Sequence, residues 1–352
     1  MTKTEKPQKA PASNERFDSI QLMRGLAALL VVYVHTPFAV ERFSVGSCGV
    51  DIFFVISGFI ITHVTKDGHR DFLLKRAIRI LPIYVLLTGL TFLLRNTLPL
   101  GILSDYRASP SSLFLSLTFT QNAYMGSPLI VAAWTLIIEI KFYVMFYIAV
   151  TVSVRRRKVY AALIVILMLI CALPYNYGQI WLGSSLLPIE FIFGIFAYWF
   201  LNEAKRPAVP KALAFILAVA SMLTLLYVDH YYFNGTARSL TYGIPALVFF
   251  VSVFEFFRGL RVPRFARFLG DISFSLYLTH ALVIAFSGYL LKSVAPSMEL
   301  SGVLVCILQI VLSVAVTIPI WYLIENRLTK WLRRKLMWKP IAKVTSHREG
   351  QG

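Results

Sequence analysis

Apolar residues in this chain gather into blocks of about twenty, separated by short polar, charged or Pro/Gly-bearing junctions. That is the length a helix needs to cross a bilayer core about 30 Å thick. Ten candidate spans follow, at about 20–41, 47–65, 79–95, 129–150, 159–174, 180–201, 211–228, 239–257, 269–291 and 300–324. The pattern predicts an all-α fold, a polytopic integral membrane helical bundle of about ten transmembrane helices. Residues 1–15 are polar and Pro-containing and predict a disordered cytoplasmic tail. Residues 16–328 make the membrane domain, and 329–352 a basic cytoplasmic tail. The longest stretch between spans, 96–128, carries Leu113–Phe119, which fits a short interfacial or re-entrant helix. The first apolar stretch holds Arg24 in its inner third and has no small-residue cleavage site. It is expected to stay as a helix rather than leave as a signal peptide.

Charge gives the bundle a direction. In the ten-span reading, 28 of the 35 Lys and Arg residues fall on one side. They include Lys3 to Arg16, Lys66 to Arg79, the run Arg155–Lys158, Arg258 to Arg267, and the tail from Arg327 onward. Arg42, Arg95, Arg107, Arg238 and Lys292 fall on the other side, and only Arg24 and Lys141 lie inside spans. The positive-inside rule then places both termini in the cytoplasm.

Composition excludes several classes. Of 352 residues 57% are apolar and 15% charged, where a soluble domain carries about 25% charged. A formal charge of +18 would suggest nucleic acid in a soluble protein. Here the charge sits at membrane junctions, so lipids and not nucleic acid are the expected neighbours. Cys48, Cys171 and Cys306 are widely spaced and read as small core residues, and no metal site is expected.

Ionisable residues inside spans cost about 2.5–3.5 kcal/mol each on insertion scales and are functional candidates by default. They are Arg24, His35, Asp51, His63, Glu139, Lys141, Glu190, Glu255 and His280. Arg24 and His35 are eleven residues apart. On a continuous helix that is three turns plus 20°, one face, with about 16 Å between them along the axis. A cation near the entrance and an imidazole deeper in suit an anionic donor arriving from the cytoplasm. The same pair fits Arg24 snorkelling to headgroups and His35 bonded between helices.

Five blocks resemble one family. Arg24, ten residues and His35 within Phe17–His35 (FDSIQLMRGLAALLVVYVH) look like the first helix of the membrane-bound acyltransferase family 3, bacterial enzymes that O-acylate surface and secreted polysaccharides. Gly49–Ile61 (GVDIFFVISGFII) is similar to its Gly-Val-Asp-Phe-Phe block, and Arg76–Tyr84 (RAIRILPIY) to its Arg-x-x-Arg-Ile-x-Pro segment. Trp134–Tyr143 (WTLIIEIKFY) resembles its Trp-Ser/Thr-Leu-x-x-Glu block, and Phe274–His280 (FSLYLTH) a late-span signature. The order of blocks covers about residues 16–328, and the form is nearest the exopolysaccharide-production branch. Many relatives have a second acidic residue after the glutamate; here it is Ile140. Some carry a C-terminal esterase-like domain, which this chain is expected to lack, leaving any second transfer step to another protein.

The resemblance implies acyl transfer, most simply acetyl from acetyl-CoA, to a hydroxyl of a saccharide or its lipid-linked precursor at the bacterial plasma (inner) membrane. Such chemistry needs a base near neutral pH, for which histidine is the usual residue. His35 is the expected base, with Glu139 orienting an imidazole or sharing its charge. Glu139 also fits a structural ion pair. His280 is a second catalytic candidate or a packing contact. Arg76 and Arg79, at i and i+3, share a helix face and are expected to hold the donor's phosphates together with Arg24; anchoring to anionic lipid is the plainer alternative for the pair. Asp51 and Trp134 are the candidate substrate contacts, although capping of its own helix suits Asp51 better. A transporter using the same charges as a proton or anion path is the competing class. Against it, no Gly/Pro-broken spans pair in corresponding halves.

Overall fold

The computed structural model describes residues 13–66, 71–120, 128–153, 187–204, 207–231, 238–294 and 301–337, and every regular element among them is helical. The helices in chain order are α1 (Ser13–Val34), α2 (Pro37–Arg42), α3 (Cys48–Thr65), α4 (Phe72–Thr97), α5 (Pro110–Leu117), α6 (Ala133–Ser153) and α7 (Ile189–Asn202). Then come α8 (Lys211–Tyr231), α9 (Arg238–Thr241), α10 (Gly243–Phe256), α11 (Arg264–Val294), α12 (Gly302–Ile320), a π-helix (Trp321–Leu328) and α13 (Thr329–Leu336). Among the described residues, seven helical segments are long and apolar enough to cross a membrane. The chain is a multi-pass, all-helical membrane protein. The span expected at 159–174, the start of that at 180–201, the basic run Arg155–Lys158, Cys171, the first twelve residues and those after 337 lie outside the described residues.

Two expected spans differ in shape. The first stops at Val34 and does not run to residue 41. Thr36 precedes Pro37, and a residue before proline is pushed out of the α region. Thr36 is extended (φ −75°, ψ 146°), and its hydroxyl accepts from Ala39 N–H to cap α2. The last span continues past Pro319, which supplies no N–H to the helical ladder. From Trp321 the helix takes the wider π register, with Thr329 Oγ1 donating to Ile324 O at 3.2 Å. The segment expected as a short helix near Leu113–Phe119 is α5, which starts where Ser109 accepts from Ser112 N–H.

The tightest crossings pair α1 with α11 and α3 with α7. Glycine permits both. A Cβ at Gly58 would lie 2.0 Å from Phe191 O, and one at Gly194 2.1 Å from Val55 O. At Gly270 it would lie 2.1 Å from Gln21 O. In lipid, where no hydrophobic drive separates helix from tail, such close backbone approach supplies much of the association. Rings fill the space beside it: Phe191 stacks on Phe142 at 4.1 Å and tilts against Phe54 at 4.7 Å. Large apolar side chains outside the bundle, such as Leu86, Leu93, Leu223 and Val311, stay exposed, as lipid contact requires.

Candidate active site

A cavity opens where α1, α3, α4, α6 and α11 converge. Its wall carries Arg24, Ser57, Arg76, Arg79, Thr135, Glu139, Tyr143 and Tyr277 among apolar side chains. The structure brings the three arginines and Glu139 to one cavity. Arg76 and Arg79 arrive together because i and i+3 share a face near the start of α4. Arg24 donates to Gln21 Oε1 at 3.1 Å. Arg76 lies over the rings of Tyr143 (5.2 Å) and Phe72 (5.7 Å). Arg79 lies over Phe274 (6.0 Å), and its Nε is 4.0 Å from Glu325 Oε1. Among the described residues, none of the three has a carboxylate at hydrogen-bonding distance, so their donors remain available to a polyanion.

Glu139 has a different setting from the one expected. Its Oε1 accepts from Ser57 Oγ at 2.9 Å and from the Tyr143 hydroxyl, one helical turn on. Both histidines are absent from this wall.

The imidazoles meet elsewhere. His35 follows the last residue of α1 and is exposed, while His280 is fully buried in the middle of α11. Their rings meet edge to face, with centroids 4.8 Å apart. His35 Nδ1 lies 2.8 Å from Val31 O, and His280 Nδ1 2.7 Å from Tyr277 O. A carbonyl only accepts, so each Nδ1 is the donor, and in a neutral ring Nε2 then keeps its lone pair. The orienting partner of each ring is therefore a backbone carbonyl, which corrects the role expected for Glu139. α1 ends at Val34, one residue before His35, and of the pair only Arg24 lines the cavity. Tyr277 bridges the two regions: it lines the cavity, its ring lies 5.9 Å from that of His280, and its hydroxyl bonds Thr135 and Ala132 O.

Asp51 and Trp134 fall outside the cavity wall. Asp51 is fully buried and pairs with Arg238 at 2.8 Å, across 187 positions of sequence. It does not cap α3. Asp229 of α8 does so, accepting from Gly46 N–H (2.6 Å), Cys48 N–H (3.2 Å) and Ser47 Oγ. Arg238, read from sequence as a junction charge, also stacks on Tyr242 at 4.4 Å. Trp134 packs half-buried against the apolar core, while its neighbours Thr135 and Leu136 face the cavity. Four residues at or beside the site carry no role in the sequence reading: Ser57, Tyr143, Tyr277 and Glu325, the last of them one position beyond the final expected span. Tyr143 was within reach, since it is i+4 from Glu139.

Five helices thus gather three guanidiniums and a carboxylate on one cavity wall, with the imidazole pair beyond Tyr277. A family model described as an acyltransferase domain, acyltransferase family 3, matches residues 17–325, and the chain belongs to that family. It is similar to "Exopolysaccharide production protein ExoZ" of Rhizobium meliloti (strain 1021), 27% identical over 75% of this chain and 86% of that one. It is similar as well to "Putative peptidoglycan O-acetyltransferase YrhL" of Bacillus subtilis (strain 168), 25% identical over 75% of this chain. "Putative membrane-bound transacylase BcsY" of Komagataeibacter xylinus is 26% identical over 84% of this chain and 80% of its own length. The match spans only 48% of the Bacillus relative. No solved structure is matched significantly.

Proposed function

We propose that the protein moves an acyl group, acetyl in the simplest case, from a coenzyme A thioester to a hydroxyl of a cell-surface or secreted saccharide or its lipid-linked precursor. The observation that carries this reading is the convergence of Arg24, Arg76 and Arg79 on one cavity, with Tyr277 linking it to His280, whose ring meets that of His35. The exopolysaccharide and peptidoglycan named for the relatives support a saccharide acceptor. In this reading the guanidiniums hold the donor's phosphates, and the pantetheine arm runs past Tyr277 toward His35. His35 Nε2 takes the proton of the acceptor hydroxyl as its oxygen attacks the thioester carbonyl. The C–S bond then breaks, an ester forms, and the proton passes to the departing thiolate. Glu139, held by Ser57 and Tyr143, sets the charge of the cavity and does not touch the base.

Replacing Arg76 and Arg79 together by Gln is expected to weaken coenzyme A binding at least tenfold while the protein still elutes as a folded species. Calorimetric titration of purified protein checks this. Unchanged affinity would return the pair to lipid anchoring. The reading also places the protein in a bacterial inner membrane with both termini cytoplasmic. Reporter fusions at residue 156 and at the C-terminus are expected to report the same, cytoplasmic side; opposite sides would refute the ten-span arrangement.

A further inference from the structure

Glu325 sits where an anion-binding site has least use for a carboxylate. Its side chain is 10% exposed, at the edge of the arginine cluster. Besides Arg79, it is within electrostatic range of Arg24 and of Arg333 on α13. The π register, with one more residue per turn than an α-helix, sets the direction in which this residue faces, and such turns occur often at functional sites. The two carboxylate oxygens have different partners. Oε2 accepts from Ser275 Oγ of α11, a fully buried hydroxyl, at 2.7 Å. Oε1 faces Arg79 Nε at 4.0 Å, well beyond the 2.7–2.9 Å of a charge-assisted hydrogen bond.

This is a carboxylate fixed at one oxygen and loosely engaged at the other. Without it the empty cavity would hold Arg24 and Arg79 in mutual repulsion, in surroundings where charge is poorly screened. Tied closely, it would consume the donors a phosphate needs. We propose that Glu325 is a positioning residue that holds Arg79 at the cavity mouth while the site is empty and yields it to a phosphate of the incoming donor. Arg79 then exchanges one anion for another, and the carboxylate takes it back as the spent coenzyme leaves. The inference rests on the donor reading above.

The test uses the full-length protein in nanodiscs, titrated with coenzyme A. Glu325→Gln removes the competing charge at nearly constant shape. It is expected to tighten coenzyme A binding about two- to five-fold, the range of one partly exposed ion pair, and to steepen its salt dependence. In turnover, KM for acetyl-CoA should fall together with kcat, because the product coenzyme leaves more slowly. A purely structural glutamate would move neither the salt slope nor KM and kcat in this joint way. Ser275→Ala frees Oε2 without removing charge and lets the carboxylate close on Arg79, so it should weaken coenzyme A binding, and it decides the matter if Glu325→Gln does not fold. Equal or weaker coenzyme A binding in folded Glu325→Gln, or equal or tighter binding in Ser275→Ala, overturns the latch alone. Wild-type protein that binds no coenzyme A overturns the donor reading, and the latch with it. A response to Glu325→Gln seen only in the retention of phosphatidylglycerol assigns Arg79 to a lipid headgroup and overturns the latch as stated.

Discussion

His35→Ala is expected to yield a membrane-inserted, folded protein that transfers acyl groups about 10²–10⁴ times more slowly, the usual worth of a positioned base. In barrier terms that is about 3–5 kcal/mol. The folding cost should be small. His35 is exposed, follows the end of α1, and its side chain makes one hydrogen bond to its own helix, at Val31 O. An interhelical hydrogen bond in lipid is itself worth only about 0.6 kcal/mol. Donor binding should persist, because His35 is not on the wall that carries the three arginines. Arg24→Ala should behave in the opposite way, losing coenzyme A affinity along with turnover. Measuring both quantities for both variants, with thermal melting as a control, separates base from donor contact. Near-normal activity in folded His35→Ala would remove its assignment as base.

Gly58→Ala is expected to be among the most damaging single methyl groups that can be added to the protein. On an open helix the change from Gly to Ala stabilises by about 1 kcal/mol. At Gly58 the new Cβ would stand 2.0 Å from Phe191 O, a backbone atom that cannot swing aside. Helices α3 and α7 must therefore separate, and the contacts of Phe191 with Phe54 and Phe142 open with them. Overpacking of a well-filled core costs about 1–3 kcal/mol, occasionally more, and a clash between two backbones belongs at the upper end. Gly89 of α4 is the natural control, since a Cβ there meets nothing within 4 Å. Gly89→Ala should leave the melting temperature unchanged or slightly raised, whereas Gly58→Ala should lower it by many degrees. Similar melting curves for the two variants would refute the close crossing.

Most of the helices were legible because hydrophobic runs are a local property. Spans expected at 47–65 and 211–228 correspond to α3 and α8 nearly to the residue. Where local patterning met a specific backbone effect, it overran. Apolar content alone predicts a first span running through Thr36-Pro37, whereas the residue before proline leaves the α region and α1 ends at Val34. The arginine cluster was readable from i, i+3 spacing and motif resemblance, and the structure gathers it. Partnerships between distant segments were not. Its place at the start of a span suggests a cap or a substrate contact for Asp51, yet Asp229, far along the chain, caps that helix. Glu139 could be singled out as a buried charge, but its engagement by Ser57 and Tyr143 depends on how α3 meets α6. Glu325 depends on a π register that no hydrophobic period announces.

The distance in sequence between Asp51 and the groups that complete its surroundings has a consequence for how the protein is made. Chains are synthesised from the N-terminus at about 5–20 residues per second, so the 187 positions between Asp51 and Arg238 amount to roughly 10–40 s. Throughout that interval α3 has neither the arginine that neutralises its buried carboxylate nor the Asp229 side chain that receives its first N–H groups. The nascent second span must wait in a state with an unpaired charge and an unfinished end, held near water or by whatever escorts it into the bilayer. This corner of the bundle is therefore settled late, by residues about two-thirds of the way along the chain, although its central helix is among the first to be made.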